Sequence, residues 1–498
     1  MGGLLVSRQA VEVLVRWVPY CSSVKGGEVT VPDYPALIRQ GLPPAGRAKK
    51  IVIVGAGMAG LVAADVLLRA GHDPFILEAQ HRVGGRIQTI RDPFAPGLYA
   101  EAGAMRIPRT HTLTLAYVEK FGLPVAPFAM NNPRAFYHLQ GRLVRIADAD
   151  ADPTRLTPGL GDREADRTVA KLWNAALQPI TSQLESEGGE SAWSEIAAHY
   201  DAYSVREFLE ANQWPEEAIE LFGLLWNQEA LMNSSFMELL REEVGHFYTD
   251  MLQIEGGMDR LPRAFLPALA DRVRFSARMN AIDQTPDEVI VHYRTPAGRA
   301  QARGDYAIIT VPFSVLRHVE TLKPFSRPKQ RAIRQLHYDA SAKIFFQCRR
   351  RFWEEDEGIF GGGTVTDLPI RNLYYPEHGR ETGRGVLLAS YTWSEDAHRW
   401  GSLAPEERIT QALENVAQIH PQILDTFEFG TSKLWHHDEF AGGAFALFDP
   451  GQQTLLHEAI IAPEGRIHFA GEHASLTHAW IQGAIESGLR AADEVHGA

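Results

Sequence analysis

Glycines at Gly55, Gly57 and Gly60 form G-x-G-x-x-G, with an acid further on at Glu78 and an arginine at Arg86. At this spacing these residue types can hold a dinucleotide. Gly55 allows a tight turn, Gly57 lets a pyrophosphate approach the backbone, and Gly60 lets a helix lie close to a sheet. A carboxylate about twenty residues beyond the glycines accepts both hydroxyls of an adenosine ribose and would repel a 2′-phosphate, which argues against NADP.

Such a site needs particular elements around it. Residues 51–54 are a short β-branched run, the composition of a strand buried on both faces of a parallel sheet. The apolar spacing of Leu61, Ala64, Val66, Leu67 and Leu68 predicts a helix over 58–70, ended by Gly71, whose N-terminal N–H groups face the phosphates. A second strand is predicted over 73–78. Strand, glycines, helix, strand and acid arrive in the required order, which favours an ADP-type dinucleotide site over a bare β-α-β unit.

A chain of 498 residues is too long for one simple core, so two or three domains are expected. Its 45% hydrophobic and 22% charged residues read as an ordinary soluble enzyme, and a net charge of −13 argues against nucleic-acid or anionic-membrane partners. The two cysteines, Cys21 and Cys348, read as reduced thiols of a cytoplasmic protein. No apolar stretch reaches membrane-spanning length. Residues 1–20 are apolar but interrupted by Arg8, Glu12 and Arg16, which suggests an amphipathic helix packed on the body and not a signal peptide.

Further along, a hairpin is predicted over 131–145, turning at Gln140 and Gly141, then a loop over 147–166. Helices follow over 169–184, 190–200, 205–213 and 216–226, with Pro215 in a first turn. A strand is predicted over 273–282. Residues 288–293 and 306–311 complete a β-meander. Strands at 341–353 and 385–393, a helix at 403–419, a strand at 467–469 and a helix at 483–495 close the chain. Trp435, His436 and His437 read as extended, which points adjacent histidines opposite ways, and no metal is expected.

Arg82-Val83-Gly84-Gly85-Arg86 sharpens the functional reading, because twin glycines let the chain pass close to a cofactor and Arg86 can pair with a phosphate. With Glu78 and Ala79 in front, it resembles the E-A-x-x-R-x-G-G-R signature of two-dinucleotide-binding-motif flavoproteins, which implies FAD. Gly103-Ala104-Met105-Arg106-Ile107-Pro108, then Gly256-Gly257-Met258 with Leu261-Pro262, then Ser341-Ala342-Lys343-Ile344-Phe345, extend the likeness. From about 49 to 495 the chain resembles the flavin monoamine oxidase family, most closely its L-amino acid oxidase branch.

That resemblance implies an α/β fold: a Rossmann-like FAD-binding domain, an α+β substrate-binding domain and a helical insertion. The expected bounds are 1–48 for an N-terminal helix and arm, 49–87 with 256–335 and 455–498 for FAD, 88–146 with 336–454 for substrate, and 147–255 for the insertion. It also implies roles. Gly55, Gly57, Met58, Ala59, Gly60, Glu78, Ala79, Gly85 and Arg86 would hold the ADP half, with Met279 meeting the adenine through its backbone. Gly103, Ala104, Met105, Arg106, Trp435, Gly471 and Glu472 would line the flavin and its ribityl chain. Trp480, Ile481, Gln482, Gly483 and Ala484 would present a helix N-terminus to the ring, where N–H groups stabilise negative charge.

On the substrate side, Arg106 would grip a carboxylate with two parallel bonds, a structural salt bridge being the other reading. Tyr391 would donate to the same carboxylate. Alternation along Leu387, Ala389 and Tyr391 puts it among buried side chains. Lys343 would hold a water against flavin N5. Trp480 and Ala479 would wall the cavity, and Ala444, small where relatives are often larger, would leave room for a bulky side chain.

The implied reaction takes a hydride from the α-carbon of a neutral-amine L-amino acid to flavin N5, with water giving a 2-oxo acid and ammonia and oxygen giving hydrogen peroxide. A homodimer or higher homo-oligomer is expected. One departure stands out: venom members carry a histidine, proposed as base, in the stretch matching 240–243, where Arg241 and Glu242 stand here, with His246 nearby but out of step. Rivals are a decarboxylating aromatic amino acid 2-monooxygenase, a monoamine or polyamine oxidase, and a flavin-free escort protein on the same scaffold.

Overall fold

The apolar run Lys50–Val54 is the middle strand of a five-stranded parallel sheet in the order Val273–Arg274, Asp73–Leu77, Lys50–Val54, Tyr306–Ile309, Ile467–Phe469. The computed structural model describes residues 33–156, 169–187 and 189–498. Helices Met58–Arg69 and Ile481–Gly497 cover one face of the sheet, packing Leu61, Val62, Ile485 and Leu489 on Ile51, Ile53, Ile76 and Ile308. The other face, with Val52, Val54, Ala307 and Ile309, meets Ile282, Val289 and Val291. Both faces are buried, which explains a strand without alternation.

The covering β-meander differs from the sequence expectation. It comprises Arg278–Gln284, Val289–Thr295 and Gly298–Gly304, with the short strand Glu320–Thr321 alongside. The strand predicted over 273–282 is broken at Ser276, whose φ is +53°, into two pieces that join different sheets. Tyr306–Ile309, expected in the meander, pairs with Lys50–Val54. The third meander strand carries Arg299 and Arg303 on an exposed face, and its polarity masked it.

A seven-stranded sheet runs Phe427–Leu434, Ser341–Cys348, Gly385–Trp393, Asn372–Tyr374, Gly363–Thr366, Phe136–Leu139, Arg142–Arg145. Strands Ser341–Cys348 and Gly385–Trp393 pair with a bulge: Ile344 faces Ser390 while Phe345 faces Leu388, so Ala389 has no partner. The extra residue overturns the expected alternation. Leu387 and Ala389 join the core under helix Pro405–Ile419, whereas Tyr391 packs with Val386 and Leu388 on the opposite face, beside Lys343.

Helices Val169–Glu187, Gly189–Tyr200, Val205–Ala211, Glu216–Leu225 and Phe236–Val244 share a core around Trp173, Phe208, Phe222 and Phe236. Ser204 and Glu207 form a capping box, and Pro215 is the N-cap of its helix, one place earlier than expected. The loop expected over 147–166 contains a helix, Ile146–Ala151, and the turn Pro153–Arg155; its remainder lies outside the described residues, as do residues 1–20 and Cys21. Cys348 is buried and unbridged. No helix among the described residues is long and apolar enough to cross a membrane.

Candidate active site

One cavity of about 1330 Å³ runs between the parallel sheet, the seven-stranded sheet and the helices. At one end it reaches the glycine turn. A Cβ on Gly57 would meet nothing, so a group can come up against that backbone from the cavity, whereas one on Gly60 would stand 2.0 Å from the Gly55 carbonyl oxygen. Gly60 therefore packs the helix on the turn and does not line the cavity. Glu78 closes the second strand with its carboxylate oxygens accepting N–H bonds from Ala56 at 2.7 Å and Gln80 at 2.8 Å. Burial raises its pKa, and those N–H donors oppose the shift.

The twin-glycine run folds against the segment that carries Arg106. Gly103 sits so near Arg86 that a Cβ would fall 1.8 Å from its carbonyl oxygen. Arg86 reaches the cavity wall, where its guanidinium donates to Glu472 at 2.8 Å and to the Ala444 carbonyl at 3.2 Å. Glu472 also accepts from the Ala446 N–H at 2.5 Å. Ala79, Met279, Gly471, Ile481 and Ala484 line the same end. Gln482 and Gly483 do not: the Gln482 side chain turns away to accept the N–H groups of Leu113 and Thr114, capping helix Thr112–Lys120.

At the other end Arg106 lines the cavity with three phenols in its field, Tyr374, Tyr391 and Tyr248. It donates to the Tyr374 hydroxyl at 3.5 Å, and no carboxylate among the described residues forms an ion pair with it. The strand after it, Ile107–Pro108, pairs with Met251–Ile254, which brings Arg106 and Tyr248 together. Lys343 lies behind the wall. Its ammonium donates to the carbonyls of Glu101 at 3.0 Å and Gly103 at 2.7 Å and sits 4.4 Å from the Tyr391 ring centre, bracing the arginine-bearing segment. Burial takes its pKa down to about 7, and burial pushes that of Glu101 up to about 7.

Trp480 and Ala479 form another wall, Ala479 at φ +64° and Trp480 as N-cap of helix Ile481–Gly497. The Trp480 indole donates to Glu242 at 2.7 Å, and the Tyr248 hydroxyl donates to the same carboxyl at 2.8 Å. Burial first, then the nearby Glu238 and Glu243, push the Glu242 pKa up to about 7. Trp435 holds the Ala102 carbonyl at 2.8 Å. Trp435–His437 is a tight helical turn, not the extended run expected, and no cluster of three or more potential metal ligands occurs among the described residues.

Tyr374, Tyr248 and Glu243 escaped the sequence reading as cavity residues, and Glu242 was met there only as standing in the stretch where venom members carry a histidine. One signal was available for the acids: both fall in the last turn of helix Phe236–Val244, where the helix dipole disfavours negative charge.

A Rossmann-like sheet with a glycine turn open to a long cavity, an acid at the second strand and a lone guanidinium at the far end define a dinucleotide-dependent oxidoreductase. The model of the flavin containing amine oxidoreductases matches residues 58–496, and the chain belongs to that family, with FAD as its cofactor. YobN of Bacillus subtilis (strain 168) is 41% identical over 475 residues, covering 93% of this chain and 98% of that one. The L-amino-acid oxidase of Siganus canaliculatus is 35% identical over 476 residues, covering 93% and 89%. In fold, the chain is similar to the cyclohexylamine oxidase of Brevibacterium oxydans IH-35A, with a TM-score of 0.70 at 20% identity over 91% of this chain and 99% of that one.

Proposed function

We propose that the chain oxidatively deaminates L-amino acids to 2-oxo acids, with release of ammonia and hydrogen peroxide. The observation that supports this most is Arg106, a cavity-lining guanidinium ringed by phenols and without a carboxylate partner among the described residues. A cation so placed suits a carboxylate brought by the ligand, which it can take with two parallel bonds. The Siganus canaliculatus relative, an L-amino-acid oxidase, supports the same reading.

Bound FAD supplies the hydride acceptor and hands the electrons on to oxygen. Gly57, Glu78, Met279, Gly471 and Glu472 are the residues that would hold it. Arg106 and the hydroxyls of Tyr374 and Tyr391 fix the substrate carboxylate, so that the α-carbon has one orientation. Trp480 and Trp393 shut water from that region of the wall. Lys343, through the Glu101 and Gly103 carbonyls, and the Glu101 carboxyl, through the Met258 N–H and Thr89, keep the 101–105 backbone in place. The first turn of Ile481–Gly497 favours negative charge at the cavity edge.

The test is a panel of L- and D-amino acids, and amines lacking a carboxylate, with peroxide, oxo acid and ammonia all measured. Oxo acid and peroxide from L-amino acids alone are expected. Amide with carbon dioxide would make it a decarboxylating monooxygenase, and turnover of simple amines would remove the role given to Arg106.

A further inference from the structure

Granting the L-amino acid oxidase reading, on which this step rests, we propose that Glu242 selects substrates with a cationic side chain, pairing with an ammonium or guanidinium while Arg106 takes the α-carboxylate. The carboxyl lies on the cavity wall in the last turn of Phe236–Val244. Its two hydrogen-bond donors, the Trp480 indole at 2.7 Å and the Tyr248 hydroxyl at 2.8 Å, are both neutral. Neutral donors orient a buried carboxylate without supplying its counter-charge. A cationic ligand would supply it.

The surroundings agree. The part of the wall drawn from residues 173–250 contributes Glu242, Glu243 and Asp250 and, among the described residues, no lysine or arginine. Glu243 accepts from the Trp173 indole at 3.3 Å, whereas Glu242 is the acid bonded to Tyr248, the phenol that also lies in the field of Arg106. The pairing of Ile107 with Leu252 holds Arg106 close to Tyr248, so one phenol separates the site's cation from its acid. The rings of Trp480, Tyr391 and Trp393 line the same cavity, and a methylene stem can lie along such surfaces while its charged tip finds the carboxylate. An apolar side chain of equal length fills the space but leaves Glu242 uncompensated.

The groups facing Glu242 are Glu238 and Glu243 on its own helix, Tyr248 and His246 on the segment that follows, Arg106 across Tyr248, and His111 against Trp480. His478 is paired with Glu238 at 2.9 Å, and burial keeps His111 neutral, its pKa down to about 3. Between them they leave the carboxyl to ionise near neutrality.

The experiment compares kcat/KM of the holoenzyme for L-lysine and for L-norleucine, which keeps the carbon chain but lacks the distal ammonium. Because the α-amine chemistry is common to both, their ratio reports the distal group. From about pH 6 to about pH 8 a carboxyl with a pKa near 7 becomes roughly tenfold more ionised, and the ratio in the wild-type protein is expected to exceed one and to rise by a similar factor. In Glu242→Gln the ratio should fall about tenfold or more and lose its pH dependence; Glu242→Asp should restore part of it. Flavin absorbance reports folding of each variant, and the wild-type pH series decides the matter if neither folds. A ratio below one, a flat ratio, or a Glu242→Gln effect equal for both substrates would overturn the assignment, the last by moving Glu242 to the α-amine. Absence of turnover with every L-amino acid would instead sink the oxidase reading and this inference with it.

Discussion

The two ends of the cavity are made of different material. The dinucleotide end is mostly backbone: glycines without side chains, N–H groups, and two acids, Glu78 and Glu472, whose oxygens are already engaged with backbone donors at 2.7 and 2.5 Å. The substrate end is mostly side chains, Arg106, Tyr248, Glu242, Tyr374, Tyr391 and Trp480, delivered by separate elements. The first end tolerates little added volume, and the second depends on the chemistry at the tips of a few long residues.

Arg106→Ala strikes the second end hardest. Removing one partner of an enclosed charge pair costs about 2–5 kcal/mol, so kcat/KM for carboxylate-bearing substrates should fall about a hundredfold or more. Bound flavin, measured by absorbance, should persist. Flavin loss with unchanged kinetics in the remaining holoenzyme would break the division between the two ends. Gly60→Ala is the reciprocal test. Its methyl would press on the Gly55 carbonyl oxygen, and overpacking of this kind costs about 1–3 kcal/mol. Thermal stability and flavin retention should drop together; an altered KM with full flavin content would count against the comparison.

Tyr391→Phe removes one hydroxyl donor and should lower kcat/KM about tenfold, with a larger effect on KM than on the melting temperature. The smallest effect is expected at Glu101. Its folded pKa, about 7, lies above its ordinary value, so the folded protein binds more protons than the unfolded chain between those limits. The resulting stabilisation is complete in acid and is lost as pH rises through about 7. Glu101→Gln, neutral throughout, should flatten the melting temperature against pH over that window by about 2 °C.

The same contrast decides how much could be read from the sequence. Backbone-built sites restrict residue type at each position, so Gly55, Gly57, Gly85 and Gly103 and the acid at Glu78 were visible in order, as was the β-branched strand before them. Arg106, Tyr391 and Trp480 were reached through family resemblance, because nothing local distinguishes a substrate arginine from a surface one. Tyr248 was hidden, and Glu242 was visible only as a departure from the venom pattern, since their proximity to Arg106 depends on the pairing of Ile107 with Leu252, more than a hundred residues apart. The break at Ser276 and the bulge at Ala389 carried no glycine or proline to mark them.

The bulge has a consequence for divergence. Because Ala389 is one residue too many for its ladder, the position of the Tyr391 hydroxyl depends on how many residues precede it in the strand, not only on which residue stands at 391. Single-residue insertions or deletions between 385 and 391 would rotate that hydroxyl into the opposite core, whereas the turn just before the strand, over 379–383, can change length without disturbing it. Length conservation across that short interval is the mark by which chains that set a tyrosine beside Lys343 in this way can be separated from those that share only the sheet.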